Sequence, residues 1–153
     1  GKGTTFKIYL PLVKSAVETE RLSLERASII GGVETILLAE DDSAVRKLTK
    51  TVLEGSGYTV IEAEDGEKAL NKFTGNEDSV RLLLLDVTMP KKSGKEVYDE
   101  IRKTHPAMKA LFMSGYTANV IHKKGLLDKD LHFISKPASP VELLRMVRKV
   151  LDA

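Results

Sequence analysis

Glu40, Asp41, Asp86, Ser114 and Lys136 are the side chains of this 153-residue chain whose types could act together on one substrate. Each follows an apolar run. Glu40-Asp41-Asp42 follows Thr35–Ala39 (TILLA), Asp86 follows the leucines 82–85, Ser114-Gly115 follows Met108–Met113 (MKALFM), and Ser135-Lys136-Pro137 follows Leu131–Ile134. Three carboxylates brought together repel and raise one another's pKa. A hard divalent cation relieves that repulsion, and an all-oxygen, carboxylate-rich set with open positions suits magnesium, for which manganese could substitute. Lys136 adds a positive charge and Ser114 a hydroxyl donor. Around a lone aspartate, such a set could receive a phosphoryl group, with Asp86 as the nucleophile and an acyl phosphate as the product.

Taken singly, each residue has a plainer reading. Asp86 could be a strand-ending turn residue, 40–42 could cap a helix, Ser114 could sit in a turn, and Lys136 could be a solvated loop lysine. The elements must bring them together. The run Val80–Leu85 has no polar break beyond Arg81 and stops at Met89-Pro90. Such a run reads as a strand buried on both faces of a parallel sheet. Strands are expected at 35–39, 58–63, 81–85, 108–113 and 131–134. Helices are expected at 43–53 (Val45, Leu48 and Val52 inward), after Asp65 as a cap (Ala69, Leu70 and Phe73 inward), at 94–103 (Val97 and Ile101 inward), at 117–124 ending at Gly125, and after Ser139. The last has the clearest start, Ser139-Pro140-Val141-Glu142, a capping box with proline at the first helical position. Its buried stripe is Leu143, Leu144, Val147, Val150 and Leu151. Five strands alternating with five helices imply an α/β fold, a doubly wound parallel sheet with helices on both faces. All the strand-end residues named above then lie on one edge.

Composition narrows the function. There is no cysteine, hence no disulfide framework, thiolate metal site or cysteine nucleophile. No apolar run approaches the ~20 residues of a membrane span. The start, Gly1-Lys2-Gly3, does not read as a secretory signal. A cytoplasmic location is expected, with a membrane anchor in a parent protein left open. The net charge of +2 is uneven: residues 1–33 hold five basic and three acidic residues, leaving 19 of each for 34–153. A neutral main domain with no basic stripe argues against nucleic-acid binding. Gly31-Gly32 marks a break, and the main domain is expected over 34–153. Residues 13–33 read as a linker or a short exposed helix, and residues 6–10 alternate as a strand ended by Pro11. A lone strand is unstable in water, so this one is expected to pair with a neighbouring chain or pack on the main domain.

Glu40-Asp41-Asp42, Asp86-Val87-Thr88-Met89-Pro90, Gly94, Ser114-Gly115-Tyr116 and Lys136-Pro137 together resemble the receiver domain of two-component response regulators, over about 34–153. The resemblance implies a flavodoxin-like sheet of strand order 2-1-3-4-5. It implies that Asp86 accepts phosphate from a phosphohistidine on a histidine kinase or phosphotransfer domain. Asp41 would bind Mg2+ directly, Glu40 largely through water, and the Thr88 backbone carbonyl would be a further ligand. Ser114 would bond the phosphoryl oxygen, Lys136 would pair with Asp86 or its phosphate, and Phe133 would be the switch aromatic; a fixed core phenylalanine is its alternative. Lys136–Pro137 would be cis. Glu40 stands where many members have Asp, and Phe133 where many have Tyr, so no hydroxyl can bond outward when the ring turns. The output surface implied is the helix at 117–124, the fifth strand and the last helix, which could also form a homodimer, as could the N-terminal strand. Residues 1–12 (GKGTTFKIYLP and Leu12) resemble the end of a histidine-kinase ATP-binding domain, so the chain reads as the C-terminal part of a hybrid sensor kinase. With no output domain after Ala153, a relay or self-regulating role is expected, and catalysis only in the sense of self-phosphorylation and autodephosphorylation at Asp86.

Two other classes compete, the second of them on the same fold. A magnesium-dependent small-molecule phosphatase or phosphotransferase would need a further acid two residues after the nucleophile, where this chain has Thr88. A flavin- or nucleotide-binding module would want a glycine- or hydroxyl-rich loop after the first strand, where Glu40-Asp41-Asp42 would repel a phosphate.

Overall fold

A computed structural model describes residues 31–115 and 131–153, together with Gly3, Thr4 and Lys7. Five strands form one sheet: β1 (Thr35–Ala39), β2 (Thr59–Ala63), β3 (Val80–Asp86), β4 (Lys109–Ser114) and β5 (His132–Ser135). Four helices are described: α1 (Ser43–Glu54), α2 (Gly66–Thr74), α3 (Gly94–Thr104) and α4 (Pro140–Asp152). The helix expected at 117–124, and the strand expected at 6–10 apart from Lys7, lie outside the described residues, as does the linker up to residue 30. Every strand pair is parallel and the order is β2-β1-β3-β4-β5, the flavodoxin-like order expected.

The unbroken leucine run is explained by the period of two along a strand. Leu83 and Leu85 face one core with Ala69 and Phe73 of α2 and Val97, Tyr98 and Ile101 of α3. Leu82 and Leu84 face the other, with Leu53 of α1 and Leu143, Leu144, Val147 and Val150 of α4. A strand covered on both faces needs no polar alternation, and each of these leucines contributes about 2 kcal/mol of transfer free energy. The order reverses between β1 and β3, so a crevice opens beyond their carboxyl ends, where Glu40 and Asp86 follow.

Two local expectations are corrected. Leu48 of α1 does not face the core: it is 66% exposed, and the buried residues of α1 are Thr49 and Leu53. The core side follows a spacing of four (45, 49, 53), which an apolar count misses because Thr49 is polar. At Ser139 only half of the capping box forms: its hydroxyl accepts from the Glu142 N–H. A reciprocal box is found instead at Ser93 and Glu96 of α3.

Candidate functional site: an acidic crevice at the strand ends

β1 ends in Ala39, and the Glu40 N–H donates to the Ala63 carbonyl at 3.1 Å, extending the ladder one residue past the strand. The chain then turns, because Asp42 caps α1, its carboxylate accepting from the Ala44 and Val45 N–H groups at 2.8 and 3.0 Å. The acidic run is therefore divided. Asp42 does the capping that a bland reading assigned to the whole run. Glu40 and Asp41 are left beside Asp86, and the carboxylate oxygens of these three lie within 4.8 Å of one another. Glu40 is 1% exposed, Asp86 is buried and Asp41 is exposed.

Lys136 reaches the same point from β5, its Nζ lying 2.9 Å from Asp86 Oδ2 and also bonding Glu40 Oε2. Its backbone N–H donates to the Ser114 carbonyl at 2.7 Å, tying the ends of β4 and β5 together. The Lys136–Pro137 bond is cis, as the resemblance implied. Beyond β3, the Thr88 N–H donates to Asp86 Oδ1 at 3.3 Å. The Gly94 N–H donates to the Val87 carbonyl at 3.2 Å, and a Cβ on Gly94 would stand 2.2 Å from the Asp86 carbonyl oxygen. Only glycine allows α3 to start this close to the aspartate. Ser114 ends β4, 1% exposed, one register position past the Asp86↔Met113 pair. Phe133 is half-buried, paired with Phe112 in the sheet and packed against the α2–α3 core.

Charge does not balance here. Three carboxylates face one ammonium. Burial of Glu40 pushes its carboxyl above the ordinary value of 4.5, against the opposing pull of Lys136. Burial works against the charge on Lys136, but hydrogen bonds to Glu40 and Asp86 more than offset this and raise its pKa above 10.5. Two excess negative charges on converging oxygen ligands fit a small divalent cation with open positions.

Residues 36–148 match the family described as response regulator receiver domain. The chain belongs to that family. The sensor kinase CckA of Brucella abortus (strain 2308) is 36% identical over 159 residues, covering 99% of this chain and 17% of the kinase. The transcriptional regulatory protein CpxR of Escherichia coli (strain K12) is 36% identical over 116 residues, covering 76% of this chain and 48% of CpxR. The receiver chain thus spans less than half the length of these relatives. The crystal structure of the receiver domain from the hybrid histidine kinase CckA is similar at a TM-score of 0.65 and 32% identity, over 76% of this chain and 98% of that one. Receiver domains act in two-component signalling. Among the described residues of this one, no helix is long and apolar enough to cross a membrane.

Two features of the receiver's site were not visible in the sequence. Arg46, six residues past Glu40, turns back onto the acidic loop. A groove of about 330 Å³ also runs beside Lys136, lined by Val45, Leu48 and Val52 of α1 and by Pro137, Ala138 and Pro140. The spacing of four along α1 (45, 49, 53), which leaves Leu48 off the core side, is the one sequence signal for that groove.

Proposed function

We propose that this receiver takes a phosphoryl group from a phosphohistidine onto Asp86. The observation that supports it best is the convergence of Glu40, Asp41 and Lys136 on the Asp86 carboxylate. Asp86 Oδ attacks phosphorus, and the bond from phosphorus to the histidine nitrogen breaks. The electron pair returns to the imidazole, which takes a proton from solvent, and a mixed anhydride remains on Asp86. The Thr88 N–H and Lys136 hold the attacking carboxylate in place. Lys136, already charged and half-shielded, can follow a phosphoryl oxygen as the negative charge moves outward. Ser114, at the end of β4, is the hydroxyl we assign to a second phosphoryl oxygen. Glu40, Asp41, Asp86 and the Thr88 carbonyl are the groups we assign to Mg2+, which when bound would offset the charge of the incoming phosphoryl group. Phe133, half-buried beside Phe112, is the ring we assign to the switch, with β5, α4 and the segment 117–124 as the output surface.

The donor helix is proposed to lie in the groove along α1, because that groove is apolar, carries the exposed Leu48 and shares Lys136 and Pro137 with the site. The alignment with the sensor kinase takes in 99% of the chain. That supports reading 1–12 as the end of a kinase ATP-binding domain, 13–33 as a linker and the parent as a hybrid kinase. The test is acetyl phosphate or beryllofluoride with Mg2+, on wild type and Asp86→Ala. A single modification at Asp86, absent from the variant, is expected. Equal modification of both would overturn the reading, and inertness of both would favour a nucleotide-binding module.

A further inference from the structure

Arg46 has an unusual set of partners. Its backbone N–H donates to the Asp42 carbonyl at 2.9 Å, the first bond of α1. Its Nη1 donates to the Glu40 carbonyl at 2.6 Å and to the Asp41 carbonyl at 3.2 Å. Three consecutive carbonyls of the acidic run therefore end on one residue. Its Nε lies 3.8 Å from Glu62 Oε1 of β2, and the other oxygen of Glu62 is held by Lys50 at 2.6 Å. We infer that Arg46 is a positioning residue for the acidic pair: it fixes the backbone of 40–42 so that both carboxylates stay turned toward Asp86. The inference rests on the receiver reading above and names what holds its cation ligands in place.

The physical case has three parts. The loop is under electrostatic load, since Glu40 and Asp41 are adjacent in sequence and both lie within 4.8 Å of Asp86 by their carboxylate oxygens. Without restraint, rotation of the two peptide units would let the carboxylates separate toward water. Arg46 restrains the peptide units themselves and makes no bond to either carboxylate. Its charge lowers the cost of the loop while its guanidinium leaves the carboxylate oxygens untouched. Helix capping does not need it, because Asp42 already accepts from the Ala44 and Val45 N–H groups. The geometry also suits arginine and not lysine. A planar fork can present Nη1 to two carbonyls while Nε faces Glu62, whereas an ammonium is a point donor on a flexible stem. Partners that orient metal ligands typically change metal affinity by about 10–100-fold when removed.

The experiment uses the whole chain with Arg46→Gln and Arg46→Lys, and measures three things: Mg2+ affinity by calorimetry, the Mg2+ concentration giving half-maximal beryllofluoride adduct together with the plateau reached, and the urea midpoint without metal. Arg46→Gln is expected to weaken Mg2+ affinity about tenfold or more, with Arg46→Lys between it and wild type. The adduct plateau at saturating Mg2+ is expected to be kept. Affinity within about twofold of wild type in a folded variant overturns the inference. So does a lowered plateau with an unchanged half-saturating Mg2+, the mark of a merely structural role. If Arg46→Gln does not fold, Glu62→Gln removes only the charge facing Nε and is expected to weaken Mg2+ affinity in the same direction by less; no change there overturns the inference. The two failures are distinguishable. A wild type that binds no Mg2+ removes the receiver reading and this inference with it. A wild type that binds Mg2+ and forms an Asp86-dependent adduct, beside Arg46 variants of normal affinity, removes the positioning role alone.

Discussion

The two edges of the sheet carry similar numbers of charges and arrange them in opposite ways. At the amino edge, Arg148 of α4 bonds Glu34 at 2.8 Å and Asp152 through Nε at 3.0 Å. Its guanidinium pKa is raised, first by the hydrogen bond to Asp152 and then by that to Glu34. Burial would raise the Glu34 carboxyl, but the Arg148 hydrogen bond and charge, with backbone N–H bonds, bring it below 4.5. At the carboxyl edge three acids share one lysine, and the buried Glu40 moves the other way, above 4.5. At the amino edge two acids share one arginine, and Glu34 Oε2 is buried with no hydrogen-bond partner among the described residues. The other edge gathers three acids around one lysine, an excess of negative charge that a bound cation could offset. The larger excess at the carboxyl edge agrees with the site proposed there: a fold tolerates unbalanced buried charge where binding later offsets it.

The largest expected effect tests which edge does the chemistry. Asp86→Asn is expected to abolish phosphoryl modification by acetyl phosphate, while Glu34→Gln leaves it at the wild-type level, both read by intact mass. Loss in both, with both folded, would break the contrast. Next is the cost of removing each edge's cation without metal at pH 7. Lys136→Ala strands two buried carboxylates, and a loss of about 2–4 kcal/mol is expected, below the 3–5 of a fully buried pair because the lysine head is partly hydrated. Arg148→Ala separates more exposed partners and is expected to cost about 1 kcal/mol or less. Urea midpoints measure both, and a larger loss at Arg148 would reverse the assignment.

A sharper form of the comparison is a difference in sign. Glu40 has a folded-state pKa above its unfolded one, so its ionisation opposes folding. Its cost is fully present above the folded value and vanishes below the ordinary 4.5. Glu40→Gln is therefore expected to raise metal-free stability near neutral pH, and the gain should fade as pH falls through the raised pKa. Glu34 has a depressed pKa, so its contribution is present above 4.5 and is lost as pH falls through the lower folded value. Glu34→Gln is expected to lower stability near neutral pH and to lose its effect in acid. Urea unfolding in metal-chelated buffer from pH 7 down to about 2 measures both, and shifts of the same sign would show that the carboxyl edge carries no excess charge.

The sequence made legible what depends on strand ends. The run of four leucines places Asp86 at a sheet edge because only a strand covered on both faces is written that way, and alternation with helices puts Glu40, Asp41, Ser114 and Lys136 at the same edge. Less legible was anything decided by which way a helix turns. Leu48 counted as core because apolar residues at 45, 48 and 52 fit helical spacing, but the row against the sheet passes through polar Thr49. Arg46 shares α1 with Lys47 and Lys50, and nothing local shows that its guanidinium folds back past the cap to carbonyls outside its own helix. The lysine's bond to Glu40 joins residues 96 apart and follows from the fold rather than from any local pattern. The Ser139 box was half right and the Ser93 box was missed, although both share the Ser-x-x-Glu pattern: of the two glutamates, only Glu96 turns back to the backbone N–H of its cap.

The smallest expected effect on stability separates chemistry from docking at the carboxyl edge itself. Leu48 is 66% exposed beside the groove that Lys136 and Pro137 help to line. Leu48→Glu replaces an exposed side chain on a solvated face of α1, so stability should change by about 0.5 kcal/mol or less. Adduct formation with beryllofluoride and Mg2+ needs no helix in the groove and is expected to proceed as in wild type. If a helical donor docks in the groove as proposed, an apolar contact replaced by a carboxylate should slow transfer from its phosphohistidine by about tenfold, equivalent to roughly 1.4 kcal/mol. If small-molecule and protein donors slow together, the leucine acts on the site rather than on the partner. If neither slows, the donor approaches over another face, and the exposed leucine on α1 needs a different account.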